Sequence, residues 1–305
     1  MKWLASLVLT AALIVVPQSP ASAACASTRL NAPAGMTITY STNHAGTGYI
    51  VGSGWVSNHW EGILWTNGVP QRLPNPAAGD GSNYPRAVNG SGVVAGYWVG
   101  STGVSFGWRY TNGSYQQLPP LGTRKSLPTD MNSAGDIVGF ASYLTAGDFS
   151  HVMLWKASTP SQFTDFGLGT AAGIDDTGRV VVSWGVLFNP DGTSLSLDNP
   201  GATFSVRDFA GGRIVGFKGV DAPYTVVEWN LSGHVVREIA DGVPQAINAS
   251  GSITATRQSG AKVLFKGATV ETLTSPVPAP RITIGVTSDN VVISDANNSA
   301  YRWNC

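Results

Sequence analysis

Residues 87–96 read AVNGSGVVAG and residues 130–139 read DMNSAGDIVG, and the two stretches share one pattern. In each, an Asn is followed by two residues, a Gly, one residue, two apolar residues and a second Gly. The Asn-x-x-Gly segment is typical of a tight turn, because Gly adopts positive φ and the Asn side chain bonds to its own backbone. We therefore interpret each stretch as two short β-strands joined by a turn.

The same pattern recurs along the chain in weaker form. Copies lie at residues 175–178, 208–212 and 248–251, and degenerate copies lie at residues 43–48 and 287–290. Neighbouring turn positions are 34 to 44 residues apart. Four short strands repeated about every 40 residues are typical of β-propeller blades. The sequence therefore predicts an all-β fold, a seven-bladed β-propeller of four-stranded blades.

A large aromatic residue ends the third predicted strand of each unit. These aromatic positions are Trp65, Trp108, Trp155, Phe188, Trp229, Phe265 and Trp303. Their regular spacing predicts that they pack between blades. A second turn, such as residues 66–68, follows the aromatic residue, and the fourth strand then ends near a Leu or Ile.

The last unit stops at Trp303 to Cys305, before its fourth strand. Residues 28–35 read TRLNAPAG and parallel residues 71–79, QRLPNPAAG, which contain a fourth strand. We therefore predict that the N-terminal segment supplies the outer strand of the seventh blade.

The two cysteines lie at the two ends of this predicted ring. The chain contains two cysteines, Cys25 and Cys305. An even number of cysteines indicates a disulfide in an exported protein, and residues 1–23 resemble an export signal, as described below. A bridge requires their Cα atoms to lie within about 7 Å. For so long a loop, the chain-entropy model predicts roughly 4–5 kcal/mol of stabilisation.

Residues 1–23 are typical of a signal peptide. Lys2 is followed by an apolar run over residues 4–16 and by Ala-Ser-Ala at residues 21–23. We expect a secreted, extracellular protein in which residues 24–305 form a single propeller domain. Lipid attachment at Cys25 is the alternative, but Ser22 stands where lipid-attachment signals carry an apolar residue.

The composition excludes several classes of protein. Apolar residues make up 43% of the chain, enough to bury a core, so the chain is not disordered. The 18 basic and 18 acidic residues balance, which disfavours a nucleic-acid partner. No run after the signal segment is long enough to span a membrane. We expect a monomer.

The repeats resemble the extracellular HAF repeat family, whose units combine an Asn-x-x-Gly-x-Ile-Val-Gly segment with a His-Ala-Phe-x-Trp segment. Residues 151–155, HVMLW, are the best second half, while residues 60–65 and 299–303 keep mainly the closing Trp. The resemblance implies a secreted β-propeller and implies no reaction.

Aromatic residues are frequent in the loops that join strands two and three and in those that join successive blades. Aromatic faces beside short polar groups suit sugar rings or peptide groups. The candidate ligand-binding residues are Trp55, His59, Trp60, Tyr84, Tyr97, Trp98, Tyr143 and Asp148. We therefore predict a binding module whose ligand is a carbohydrate or a peptide. The alternative is that some of these aromatics fill space between blades.

The sequence predicts neither a metal site nor a cofactor. The four histidines, His44, His59, His151 and His234, form no close ligand pair, and no Gly-x-Ser-x-Gly segment is present. Residues 175–178 are interpreted as a turn rather than a calcium loop.

Two other functions stay open at this point. One is a polysaccharide hydrolase or lyase that uses carboxylates at the channel face. Its candidate carboxylates are Asp80, Asp130, Asp148, Asp198, Asp221 and Asp241. Acidic groups with raised pKa values that converge in a funnel would favour it. The other is a purely structural cell-surface protein.

Overall fold

The computed structural model describes residues 25–45, 48–77, 81–101, 103–142, 150–201, 203–274 and 282–305. These residues contain no helix and form 28 strands in seven antiparallel sheets of four. The first strand of each sheet contacts the first strands of the two neighbouring sheets, and the last sheet contacts the first. The sheets are therefore the blades of a closed ring, and the predicted seven-bladed β-propeller is confirmed. The predicted signal segment lies outside the described residues.

Blades 1 to 3 each run outward from the central channel in chain order. Their strands are β2 (Thr39–Ala45), β3 (Tyr49–Val56), β4 (His59–Thr66), β5 (Val69–Arg72); β6 (Gly81–Val88), β7 (Val94–Gly100), β8 (Ser105–Thr111), β9 (Ser114–Gln117); β10 (Lys125–Met131), β11 (Ile137–Ser142), β12 (His151–Trp155) and β13 (Thr164–Leu168).

Blades 4 to 6 have the same order, and the strands of blade 4 are short. Their strands are β14 (Ala171–Ile174), β15 (Val180–Val182), β16 (Val186–Phe188), β17 (Ser194–Ser196); β18 (Phe204–Ala210), β19 (Arg213–Lys218), β20 (Thr225–Trp229), β21 (Val235–Ala240); β22 (Val243–Ile247), β23 (Ile253–Thr256), β24 (Lys262–Lys266) and β25 (Thr269–Thr272).

Blade 7 closes the ring with strands from both ends of the chain. β26 (Ile282–Val286), β27 (Val291–Ala296) and β28 (Ser299–Asn304) are completed by the N-terminal β1 (Ala26–Arg29), which pairs with β28. A disulfide joins Cys25 and Cys305, whose Cα atoms are 4.6 Å apart. Both the predicted origin of the outer strand and the predicted disulfide are confirmed.

The repeated Asn holds its own turn together and ties it to the next blade. Asn89 Oδ1 accepts hydrogen bonds from the backbone N–H groups of Ser91 and Val93, while its Nδ2 donates to the Ser133 carbonyl of blade 3. Asn132 and Asn248 bond to the following blades in the same way. An amide is suited to this position because it both accepts and donates.

The five repeat-position tryptophans are fully buried, as predicted. Four of them donate from Nε1 to a backbone carbonyl next to the fourth strand of the preceding blade. The acceptors are Asn31 for Trp65, Pro119 for Trp155, Asp198 for Trp229 and Thr274 for Trp303, at 2.6 to 3.0 Å. Phe188 differs, because the short strands of blade 4 leave it half-buried against Phe166.

Candidate functional site

The propeller has two faces, which the antiparallel order of the strands defines. On the loop face, the second strand of each blade connects to the third, and the fourth connects to the next blade. On the turn face, the Asn-x-x-Gly turns connect the first strand to the second. The aromatic cluster described next lies on the loop face, and the carboxylates described after it lie in the channel, toward the turn face.

Three aromatic rings of blade 1 form a cluster on the loop face. Trp55 and Trp60 are cross-strand partners on β3 and β4, joined by a turn in which Ser57 and Asn58 have positive φ. Their ring centres are 5.2 Å apart, and the Tyr40 ring lies 5.3 Å from Trp60. All three rings are partly exposed. They can therefore contact a ligand without rearrangement.

His59 lies next to this cluster in sequence but points to the other side of β4, because side chains alternate along a strand. Its Nε2 is 3.3 Å from Glu61 Oε1, and Glu61 Oε2 is 3.1 Å from Arg72 Nη1. The imidazole therefore belongs to a polar row with Glu61 and Arg72, on the side of β4 opposite to Trp60.

Two further predicted aromatics form a stacked pair in blade 2. Tyr84 and Tyr97 are cross-strand partners on β6 and β7, and their ring centres are 5.1 Å apart. The Arg86 guanidinium lies over the Tyr97 ring, 5.6 Å from its centre. Both tyrosines are partly exposed. We call Tyr40, Trp55, Trp60, Tyr84 and Tyr97 the aromatic surface.

The remaining predicted ligand residues do not join the aromatic surface. Trp98 is only 7% exposed and packs in the core between blades 1 and 2, with its ring against Gly81 and Gly100. Its burial favours a packing role. Tyr143 and Asp148 lie outside the described residues.

A cavity of about 640 Å³ occupies the channel, lined by residues of all seven blades and rimmed by the turns of the turn face. Every first strand carries a β-bulge at the same repeat position. The bulged residues are Thr42, Arg86, Thr129, Ala172, Arg207, Gln245 and Ile284, and those that follow them are Asn43, Ala87, Asp130, Gly173, Asp208, Ala246 and Gly285. Because a bulge turns successive side chains to one side, both members of the pair line the cavity in blades 1, 3, 5 and 6, and Ala172 and Gly285 line it in blades 4 and 7.

Two carboxylates, Asp130 and Asp208, occupy the second bulge position and reach the next blade. Asp130 Oδ2 accepts from the Ile174 N–H at 3.0 Å, and Asp208 Oδ2 accepts from the Ile247 N–H at 2.7 Å. Desolvation in the channel wall raises the pKa of Asp130 to about 6 and that of Asp208 to about 7. The charge of Asp130 adds to the second shift.

The sequence predicted Asp130 as a carboxylate of the channel face, and the structure places it on the inner strand β10. The sequence prediction did not include Asp208. The sequence assigned Asp208 to the turn of residues 208–212, whereas the structure places it on β18, after the bulge. Of the other predicted carboxylates, Asp198 pairs with His234 at 2.9 Å and Asp241 lies 3.9 Å from Arg257, both on the surface. Asp221 is exposed. Asp80 lies outside the described residues.

Metal-binding groups are scarce in the described part of the chain. The three-residue group close enough to share an ion is Cys25, Glu271 and Cys305, and its two sulfurs form the disulfide. Asp175 Oδ1 accepts from the backbone of Thr177 and Arg179, which makes residues 175–178 a turn as predicted. No helix of the described residues has the length and apolar character of a membrane span.

A third carboxyl with a raised pKa ties blade 7 to blade 1. Asp295 Oδ1 accepts from both the backbone N–H and the hydroxyl of Ser41 at 2.9 Å. The residue is 8% exposed, and desolvation raises its pKa to about 7.

Replacing Asp295 with Asn is expected to make stability less dependent on pH. Between about pH 4 and pH 7 the folded protein holds a proton on Asp295 that the unfolded chain releases, so this group's contribution to the unfolding free energy falls as pH rises. The amide oxygen of the variant keeps both acceptor contacts, and the amide does not titrate. Relative to the variant, the wild type should lose about 2–3 kcal/mol between pH 5 and pH 8.

Denaturant unfolding of both proteins at the two pH values measures this difference. Asp221→Asn, at an exposed carboxyl, is the control and should leave the pH dependence of the wild type unchanged. An Asp295→Asn effect equal at pH 5 and pH 8 would contradict the assignment.

Known β-propellers share this fold over most of its length. A structure of streptogramin B lyase is 13% identical with a TM-score of 0.64, covering 94% of this chain and 99% of that chain. Virginiamycin B lyase from Staphylococcus aureus is 10% identical with a TM-score of 0.62, covering 92% and 99%. YCF48 bound to D1 peptide is 13% identical with a TM-score of 0.57, covering 96% and 100%. No protein-family model and no curated protein matches the chain. At these identities the similarity shows the fold alone.

Proposed function

We propose that this protein is a secreted β-propeller that binds a carbohydrate or peptide ligand on its aromatic surface. The observation that carries the proposal is the cluster of Tyr40, Trp55 and Trp60, whose partly exposed rings lie within 5.3 Å of their neighbours on the loop face. Rigid aromatic rings bury much area on binding at little cost in conformational entropy. The terminal disulfide and the signal-like residues 1–23 support an extracellular location. The resemblance to HAF repeats stays a prediction.

Replacing Trp60 with Ala is expected to weaken ligand binding roughly tenfold or more, because central aromatic residues dominate binding energy at interfaces. An array of oligosaccharides and peptides first identifies a ligand for the mature protein, and titration calorimetry then compares the variants.

Trp184→Ala is the matched control, since Trp184 is 49% exposed on the loop face of blade 4, outside the aromatic surface. It should leave the affinity unchanged. Absence of binding to every member of the array, or an equal loss in both variants, would contradict the proposal.

A hydrolase or lyase is the second candidate, and Asp130 and Asp208 favour it. They lie in one cavity with pKa values raised to about 6 and about 7, a range that suits proton transfer near neutral pH. Chromatography of the binding mixtures distinguishes the two functions. Ligand that is cleaved by the wild type and intact with Asp208→Asn would make the protein an enzyme, and intact ligand in both would leave it a binding module.

A further inference from the structure

Two arginines differ from every other described inner-strand side chain. Arg86 and Arg207 are exposed, whereas the other described side chains of these seven strands are buried or half-buried. Both occupy the bulged position, in blades 2 and 5. Two blades separate them on one side of the ring and three on the other, so the strands that carry them lie on opposite sides of the channel.

Each guanidinium reaches back toward the loop face and lies over an aromatic ring. Arg86 lies over Tyr97, which pairs with Tyr84, two residues before the arginine. Arg207 lies 5.0 Å from the centre of the Phe217 ring, which pairs with Ser205, again two residues before. Stacking holds the flat face of a guanidinium and leaves its edge N–H groups available.

Neither arginine pairs with a carboxylate among the described residues. The adjacent Asp208 bonds instead to the N–H groups of Phe209 and Ile247, and burial raises its pKa to about 7. The Arg207 guanidinium lies over the Phe217 ring rather than beside this carboxyl. Among the described inner-strand residues, Arg86 and Arg207 therefore direct their charge toward the loop face, while Asp130 and Asp208 bond to backbone N–H groups near the turn face.

We propose that the loop-face mouth of the channel binds an acidic oligosaccharide, with Arg86 and Arg207 each pairing with a carboxylate of the ligand. This inference rests on the proposed function and names its ligand class. The planar fork of a guanidinium matches a carboxylate with two parallel hydrogen bonds. Tyr84, whose partly exposed ring stacks on Tyr97 beside Arg86, presents its other ring face to the sugar that carries the acid.

The loop face favours a sugar over an extended peptide. The turn between β7 and β8 closes through a bond from Gly100 N to Val104 O, and the bonds from Ser183 N to Thr170 O and from Gly219 N to Thr203 O extend the pairing of the first two strands of blades 4 and 5. These described main-chain groups are already paired, so they are not available to an extended peptide, which is usually held by its backbone. Recognition therefore rests on side chains, as rings and guanidinium groups provide.

Hexagalacturonate and its fully methyl-esterified form are matched probes that differ mainly in charge. The mature protein should bind the free acid, and more weakly as salt increases, while the ester should bind at least tenfold more weakly. Arg86→Gln and Arg207→Gln should each weaken binding of the acid roughly tenfold, and the double variant roughly a hundredfold. None of these variants should change binding of the ester.

Arg179→Gln is the control, because Arg179 lies on the turn face beside Asp175 and should not affect either probe. Equal binding of the acid and the ester would overturn this inference and leave the proposed function intact. Binding of hexaglutamate but not of the uronate would also overturn it, in favour of a peptide ligand. Failure of every ligand in the array would instead remove the proposed function itself.

Discussion

Replacing both Cys25 and Cys305 with Ser is expected to lower the free energy of unfolding by roughly 5 kcal/mol. The disulfide closes a loop with a sequence separation of 280 residues, and cross-linking so long a loop removes much conformational entropy from the unfolded chain. It also holds β1, a strand of only four residues that completes blade 7. The melting temperature should fall by roughly 10 °C or more.

Thermal melting with and without a reductant measures this effect. The reductant should lower the melting temperature of the wild type to that of the double variant and should leave the variant unchanged. Lys266, which donates to both Glu271 and the Cys305 carbonyl, remains to hold the seam in the variant. A double variant with the same melting temperature as the oxidised wild type would contradict the prediction.

Replacing Glu228 with Ala is expected to lower the free energy of unfolding by about 3 kcal/mol. Its carboxylate is 2% exposed and lies 2.5 Å from Arg213 and 2.8 Å from Arg237. Arg237 also donates to the Gly251 carbonyl, which ties blade 5 to the turn of blade 6. Removing the acid leaves two guanidinium groups without their counter-charge. The cost stays at the low end of the usual range because Arg213 still contacts water.

Glu238→Ala is the matched control for this experiment. Glu238 pairs with Lys218 at 2.7 Å, but its side chain is 42% exposed, so its removal should cost less than about 1 kcal/mol. Denaturant unfolding compares the two variants. Similar small losses in both would show that the buried network does not stabilise the junction of blades 5 and 6.

The blade count and the ring closure were predictable from the sequence because each depends on a short local signal that repeats. The Asn-x-x-Gly turn needs a particular residue at each end, as the two-way hydrogen bonds of Asn89 illustrate. The position of the buried Trp is set by the space between two blades, and four of the five tryptophans also find an acceptor in the preceding blade, so the residue recurs at the same position. A repeat therefore identifies both without reference to the rest of the chain.

The candidate site was only partly predictable, because its residues depend on which side of a strand they face. Trp98 and Tyr97 are neighbours in sequence, yet one packs in the core and the other is partly exposed. Asp208 reads as part of a turn until the β-bulge places it in the channel. A bulge adds one residue to a strand and so reverses the alternation beyond it. The pattern of apolar residues in the sequence does not reveal that reversal.

The residues that follow the bulges limit which blades could be deleted from the ring. From blade 1 to blade 6 these residues alternate between polar and small side chains, ending with Ala246. Gly285 of blade 7 breaks the order, because an odd number of blades cannot alternate perfectly around a closed ring. Deleting blade 4 alone would set Asp130 against the blade that carries Asp208, with no small residue between two desolvated acids. Deleting blades 3 and 4 together would preserve the alternation. At this point of the ring a pair of blades is thus the smallest deletion that keeps the order of the channel residues, although the repeat visible in the sequence is a single blade.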